Sequence, residues 1–131
     1  MKPSCSGATG FVVSYGFEMK PVSVATAEHY VWGEGCDGWH LVRSAELSVI
    51  EERMPPGAME QRHCHARSRQ FFYVLAGELT MELDGAVHTL DAGVGLEIAP
   101  GLAHQAMNRS GQDARFLVTS CPPSHGDRIP A

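Results

Sequence analysis

Three histidines and one glutamine are the residues in this chain best suited to chemistry. His63 and His65 flank Cys64, Gln70 follows after four more residues, and His104 lies much further along. Because residues two apart in a β-strand point to the same face, the His63 and His65 imidazoles should lie side by side, with Cys64 behind them. Imidazole nitrogens and an amide oxygen are ligands for divalent transition metals. We therefore predict one metal site, made of His63, His65, Gln70 and His104.

Neighbouring strands must bring these side chains together. Residues 69–75 are rich in aromatic and β-branched side chains and are predicted to form the next strand, whose antiparallel return would set Gln70 beside the histidines. His104 would complete the set from a later strand. Three further histidines are interpreted as structural or surface residues: His29, His40 and His88.

Short apolar or alternating runs separated by turn signals occupy most of the chain. The predicted strands are 39–43, 47–54, 59–65, 69–75, 79–83, 87–90, 95–99, 103–108 and 115–120. Asp84-Gly85, between two alternating runs, is a strong hairpin signal. Residues 23–30 are predicted to form either a short helical turn or an edge segment. Many short strands at regular spacing predict an all-β sandwich or barrel.

Length and composition limit the domain organisation and the partners. The 131 residues suit one domain, predicted over residues 21–131 after a flexible N-terminal leader of residues 1–20. The formal charge of -5 and the dispersed basic residues argue against a nucleic-acid partner. No segment has the length or apolar character of a signal peptide or membrane span. The scattered cysteines favour reduced thiols in a cytoplasmic protein; they are Cys5, Cys36, Cys64 and Cys121.

The metal-site residues belong to two longer patterns, through which the chain resembles a small single-domain bacterial cupin of the RmlC-like superfamily. The first cupin motif, G(X)5HXH(X)4E(X)6G, matches with every spacing intact at Gly57, His63, His65, Gln70 and Gly77. The second, G(X)5PXG(X)2H(X)3N, matches equally well at Gly93, Ala99, Gly101, His104 and Asn108. Two residues depart from the motifs: Gln70 replaces the glutamate and Ala99 replaces the proline.

The resemblance implies a double-stranded β-helix, commonly a homodimer, with a metal in the barrel mouth on three histidines and one carboxylate. Gln70 in place of the carboxylate leaves a ligand set without charge. Such a set favours Zn, Fe(II) or Ni, with Mn or Cu as further possibilities. Gln70 also removes a carboxylate that would carry protons. Any base must therefore come from elsewhere, and the candidates are Glu51, Glu60, Tyr73 and His125.

Two classes of function follow from this resemblance. The first is a metal-dependent enzyme that acts on a small oxygen-rich metabolite, as a Lewis-acid isomerase or lyase or as a dioxygenase. The second is a binding or sensing module in which the same barrel holds a sugar or small acid without turnover. A third hypothesis is that the metal only stabilises the barrel. The resemblance identifies neither the substrate nor the catalytic residues.

Overall fold

The computed structural model describes residues 19–131 and contains eleven β-strands. No helix occurs among the described residues, so none there is long and apolar enough to cross a membrane. The predicted all-β class is confirmed. The predicted leader, residues 1–20, lies almost entirely outside the described residues. The strands are β1 Glu28–Trp32, β2 Cys36–Arg43, β3 Ser48–Met54, β4 His63–His65, β5 Arg69–Ala76, β6 Glu78–Leu83, β7 Ala86–Asp91, β8 Gly95–Ile98, β9 His104–Met107, β10 Ala114–Cys121 and β11 Arg128–Pro130.

The strands form two antiparallel sheets that share one core. The larger sheet has the order β1-β2-β3-β10-β5-β8, and the smaller has the order β11-β4-β9-β6-β7. In β5, buried and exposed residues alternate strictly from Arg69 to Leu75, because successive side chains of a strand point to opposite faces. Inward-facing side chains of both sheets meet in a single apolar cluster, whose buried members include Met54, Phe72, Leu79, Met81 and Phe116.

The predicted pairing of the His63–His65 strand with the next strand is wrong. β4 pairs with β9 and β11, whereas β5 pairs with β10 and β8 in the other sheet. The chain crosses between the sheets at residues 66–68, whose three backbone N–H groups donate to the Asp127 carboxylate at 2.8–3.1 Å. Because these groups are satisfied by a side chain, the segment needs no strand partner and can leave the sheet. Gln70 therefore approaches the histidines from the facing sheet.

The structure decides the conformation of residues 23–30 and adds a strand, β11, that was not predicted. Residues 23–27 form a turn, in which the Ala27 N–H donates to the Ser23 carbonyl at 2.8 Å, and edge strand β1 follows it. β11 was not predicted, because three exposed residues that include Pro130 carry no alternating pattern. Its strand conformation comes from pairing with β4, and an edge position is where a sheet tolerates proline.

Gly77 ends β5 with a conformation that other residues rarely adopt. Its φ is +78°, and a Cβ atom at this position would overlap the Asp113 carbonyl oxygen. A side chain here therefore meets both backbone strain and a steric clash. The last glycine of the first motif is thus explained by the tight passage of β5 against the start of β10.

We predict that Gly77→Ala lowers the free energy of unfolding by about 2 kcal/mol or more, since strained backbone alone costs about 1–3 kcal/mol. Urea titration followed by circular dichroism measures the change. Gly111→Ala is the matched control, because a Cβ there meets nothing within 4 Å and the φ of Gly111 is not positive. Equal stability of the two variants would contradict the steric argument.

Candidate metal centre

β4 presents two histidines to the interior of the barrel. His63 and His65 are 4% and 5% exposed, whereas Cys64 between them is partly exposed. This alternation follows the strand period, and it leaves the Cys64 thiol on the opposite face. The two imidazole ring centroids are 4.8 Å apart.

β9 brings the third histidine to the same place. His104 is the direct cross-strand partner of His63 and is fully buried. Its ring centroid lies 4.4 Å from that of His63 and 5.7 Å from that of His65. One potential ligand nitrogen from each ring lies within 4.8 Å of the others. The structure thus gathers the three histidines that the motifs singled out, although they come from strands 39 residues apart in the sequence.

Backbone carbonyl groups orient two of the rings. His63 Nδ1 lies 2.7 Å from the Gln61 carbonyl oxygen, and His104 Nδ1 lies 3.0 Å from that of Leu102. A carbonyl oxygen only accepts, so each Nδ1 carries the proton and each Nε2 keeps its lone pair. Burial lowers the pKa of all three histidines, that of His63 to about 4. At neutral pH the rings are uncharged and able to bind a cation.

Gln70 reaches the cavity beside the histidines from β5 and is 6% exposed. Its Nε2 donates to Ser120 Oγ on β10 at 3.1 Å, which leaves Oε1 as the free end of the amide. Oε1 is buried and accepts no hydrogen bond among the described residues. Ser120 therefore orients the amide so that an acceptor, and not a donor, is available.

The unpartnered atoms of this site suit a metal ion. His65 Nε2, His104 Nε2 and Gln70 Oε1 are buried and have no hydrogen-bond partner within residues 19–131. Buried polar atoms without partners are rare because each costs about 1–3 kcal/mol. Neutral nitrogen and oxygen donors that converge in this way fit a divalent transition metal.

The C-terminal segment holds β4 in place from its other side. β11 pairs with β4 and sets Arg128 opposite His65 and Pro130 opposite His63. Asp127 binds the turn after His65, and Ser68 Oγ in that turn donates to the Pro122 carbonyl at 2.6 Å. The histidine strand is therefore fastened by residues some 60 positions downstream in the sequence, which no local pattern indicates.

A cavity of about 290 Å³ opens beside the histidines. Three of the predicted ligands, His63, His65 and Gln70, line part of it. Its apolar wall includes Phe72 and Ile50. The remaining polar and charged groups of its lining are Tyr30, Glu52, Glu60, Ser120, Ser124, His125 and Arg128.

Two carboxyl groups in this cavity have raised pKa values. Burial is the main cause for both, and it raises the pKa of Glu52 to about 8 and that of Glu60 to about 7. Glu60 also affects Glu52, since a nearby negative charge opposes its ionisation. The Ala106 N–H donates to Glu60 Oε1 at 2.9 Å and offsets part of the effect on Glu60. The two carboxyl groups therefore hold protons to different degrees near neutral pH.

Gly38 makes room for a tyrosine next to Glu52. Gly38 pairs with Tyr30 on one side and with Glu52 on the other, so the three residues form one row across β1, β2 and β3. A Cβ at Gly38 would overlap the Tyr30 ring, which shows that the ring lies over the glycine. Burial and the nearby Glu52 raise the pKa of Tyr30 well above its usual value. Its hydroxyl thus stays protonated and can donate a hydrogen bond.

The four candidate bases proposed from the sequence separate into two groups. Glu60 and His125 line the cavity. Glu51 instead pairs with Arg115 at 3.2 Å, and Tyr73 is 38% exposed and stacks on Phe71, so neither lines the cavity.

Glu52 was not predicted as a site residue, although its position in the strand pattern is unusual. It shares the inward face of β3 with Ser48, Ile50 and Met54, and a carboxyl group on a mostly apolar face is unusual. Tyr30 was missed because it precedes the predicted strands.

Comparison with known proteins supports this description of the fold. The family model of the cupin domain matches residues 50–120, which is more than half of the chain. Among curated proteins, Polyketide synthase CurC of Streptomyces cyaneus is 35% identical over 69 residues. That alignment covers 53% of this chain and 45% of the relative, so the chain spans less than half the length of the curated protein it matches.

Solved structures show the same architecture at low sequence identity. The polyketide cyclase RemF from Streptomyces resistomycificus superposes with a TM-score of 0.77 at 19% identity, over 87% of this chain and 86% of that chain. A sugar phosphate isomerase of the cupin superfamily from Silicibacter pomeroyi gives a TM-score of 0.71 at 24% identity, over 79% and 76% of the two chains. Together with the two motifs and the two facing sheets, the family match shows that this chain belongs to the cupin family, as a small all-β member with the double-stranded β-helix fold.

Proposed function

We propose that this cupin is a metal-dependent enzyme that removes a proton from the carbon next to a carbonyl group of a small oxygen-rich compound, and so isomerises or cyclises it. The observation that carries the proposal is a cluster of three neutral imidazoles, two of which line a cavity that also holds two carboxyl groups of raised pKa. Perturbed carboxyl groups in a polar cavity are typical of acid and base catalysts.

His63, His65, His104 and Gln70 would hold the metal, one divalent transition ion for which we favour Zn, Fe(II) or Ni. When bound, such an ion supplies Lewis acidity that makes a nearby substrate carbonyl easier to enolise. The ligands leave the charge of the ion uncompensated, because none of them is a carboxylate.

Glu60 is the proposed base. One of its oxygens is anchored by the Ala106 N–H, while Oε2 accepts no hydrogen bond among the described residues. A pKa near 7 keeps a large fraction of the side chain ionised at neutral pH and makes it a stronger base than an ordinary glutamate. The Ala106 contact fixes the carboxylate, so little reorganisation is needed before it takes a proton.

Glu52 and Tyr30 are the proposed proton donors. Glu52 is the better proton donor of the two carboxyl groups, because the charge of Glu60 raises the pKa of Glu52, whereas the Ala106 N–H stabilises the ionised form of Glu60. Tyr30 keeps its hydroxyl proton and lies in the same row of residues. Two carboxyl groups with separated pKa values provide one acid and one base in a single cavity. This division of roles allows a proton to be removed from one carbon and returned to another atom.

The relatives support this reaction class. Cyclisation of a polycarbonyl chain and interconversion of aldose and ketose sugars both begin with loss of a proton next to a carbonyl. The names of the curated relative and of the two solved structures refer to a polyketide synthase, a polyketide cyclase and a sugar phosphate isomerase. We favour a substrate with several carbonyl groups, of the polyketide kind, because the polyketide synthase has the higher sequence identity.

The metal site is tested by the paired variants His104→Ala and Cys64→Ala. We predict that His104→Ala weakens binding of Zn²⁺ more than about 100-fold, since loss of even an outer partner of a metal ligand costs about 10–100-fold. Cys64→Ala should bind as the wild type does, because its thiol lies on the opposite face of β4. Competition with a chromogenic chelator measures both affinities. Equal affinities of the two variants would refute the proposed site.

The base is tested by Glu60→Gln, with Glu51→Gln as the control on the outer face of the same region. We predict that Glu60→Gln lowers kcat about 100-fold or more, the usual scale of general-base catalysis, and that Glu51→Gln changes it less than about twofold. The assay is exchange of the proton next to the carbonyl of 1,3-dicarbonyl compounds for solvent deuterium, followed by NMR on Zn- and Fe(II)-loaded protein. The wild-type rate should rise with pH as Glu60 ionises, with a midpoint at or below about 7 because a bound cation lowers its pKa.

The same assay distinguishes the alternatives. Absence of exchange with these compounds and with unsaturated uronates, combined with saturable binding of one of them, would favour the sensing module. Oxygen consumption by the Fe(II)-loaded protein would favour a dioxygenase. A Glu60→Gln variant as active as the wild type would contradict the assignment of the base.

We also propose that the protein is a cytoplasmic homodimer that pairs through the outer face of the larger sheet. β5 exposes three large apolar side chains on this face, with exposed fractions of 44% for Phe71, 38% for Tyr73 and 42% for Leu75. Contiguous exposed apolar side chains are typical of protein interfaces. The three described cysteines are free, which is consistent with a reducing compartment.

We predict that Phe71→Glu converts a wild-type dimer to a monomer, because dimerisation would bury the glutamate charge in an apolar contact without a partner, which is unfavourable. Size-exclusion chromatography with light scattering measures the mass. Val87→Glu is the control, since Val87 is 57% exposed on β7 of the other sheet. A monomeric wild type, or dissociation of both variants alike, would contradict the proposed interface.

A further inference from the structure

A second cavity, of about 360 Å³, adjoins the cavity beside the three histidines, the metal cavity, and has a different set of lining residues. The polar side chains that line it are Arg43, Arg67, His40, His125, Ser44 and Ser48, and no acidic residue is among them. This composition contrasts with a chain whose formal charge is -5. Two guanidinium groups together with imidazole and hydroxyl groups are the donors that proteins use to bind phosphate and carboxylate.

The two arginines retain donors for a ligand. Arg67 is exposed, and its guanidinium makes no hydrogen bond or ion pair among the described residues. Arg43 makes one contact, from Nη1 to Glu28 Oε1 at 3.1 Å, between side chains that are 55% and 68% exposed. Ion pairs this exposed contribute little, so the remaining N–H groups of Arg43 are available to a stronger acceptor.

The nearby carboxylate on the C-terminal segment does not neutralise this cluster. Asp127 accepts hydrogen bonds from the backbone N–H groups of residues 66–68, so its oxygens are occupied on the side of the turn. Arg67 lies in that turn, and its position is fixed through its own backbone N–H. The side chain is thus carried by an anchored backbone, which lowers the cost of ordering it around a ligand.

His125 is common to the walls of the two cavities. It lines both of them, and its ring centroid lies 6.4 Å from that of His40 in the second cavity. The two cavities therefore adjoin at His125, so groups bound in the two cavities would lie on either side of this residue. The second cavity has two arginines and no acidic residue, so it suits an anion better than the cavity that contains Glu52 and Glu60.

We propose that the cavity between Arg43 and Arg67 binds an anionic group of the substrate, a phosphate or a carboxylate, while the carbonyl-bearing part of the same molecule occupies the metal cavity. This assignment deepens the proposed function and rests on it for the identity of the ligand as a substrate. The anion site itself depends only on the arginines and His125, so it can be tested without the metal.

The experiment measures binding of inorganic phosphate and of acetate to the full chain after chelator treatment, at constant ionic strength, with NMR detection of the histidine imidazoles. We expect saturable binding that shifts the His125 and His40 signals. The double variant Arg43→Gln, Arg67→Gln should weaken the binding of phosphate at least about tenfold, as expected for the loss of two charge-assisted contacts. Arg69→Gln, an exposed arginine paired with Glu97 outside both cavities, should leave it unchanged within about twofold.

The outcomes separate this proposal from the proposed function. The His104→Ala variant should bind phosphate as the wild type does, whether or not the protein proves to be an enzyme. Lack of saturable binding of both anions, or equal weakening in Arg69→Gln and the double variant, would overturn the anion site. Preference for phosphate over acetate would identify a phosphorylated substrate, and the reverse preference would identify a carboxylic acid; both results support the site.

Discussion

The pairing of β4 with β9 in one register is the interaction on which the site depends. It sets His63 directly opposite His104 and leaves His65 two residues away on the same face. Because side chains alternate along a strand, a slip of one residue would turn the paired imidazoles out of the barrel. The ladder between these strands is short, so other contacts must secure its register. One is the 2.7 Å hydrogen bond from the Gly101 N–H to the His65 carbonyl.

The C-terminal segment supplies the rest of that support. β11 covers the open edge of β4, and Asp127 satisfies the backbone of the turn that follows His65. The same segment also contributes Ser124, His125 and Arg128 to the wall of the metal cavity. One stretch of chain thus supports the histidine strand β4 and also shapes the cavity beside the histidines. A change in this segment would therefore affect both the position of the histidines and the lining of the cavity beside them.

The electrostatic design of the interior follows from burial. Removing water from the imidazoles keeps them neutral, and removing it from Glu52 and Glu60 keeps these carboxyl groups partly protonated. Burial therefore favours the uncharged forms of both the imidazoles and the carboxyl groups. Arg128 adds a guanidinium group to the wall of the first cavity, and Arg43 and Arg67 add two to the wall of the second. The carboxyl groups thus lie in the first cavity only, and the second cavity is lined by basic residues without an acidic one.

Much of this protein was predictable from its sequence because the determining patterns are local. The alternation of apolar and polar residues defined most strands, and the spacing of His63 and His65 defined a shared face, since both depend only on the two-residue period of a strand. The spacing of the two motifs was enough to identify the family and its three histidines. By contrast, the partners of β4, the strand β11 and the row from Tyr30 to Glu52 depend on contacts between distant segments. Only the tertiary structure decided these, because pairing across sheets is set by how the whole chain closes its core and satisfies its backbone, and no single segment carries that information.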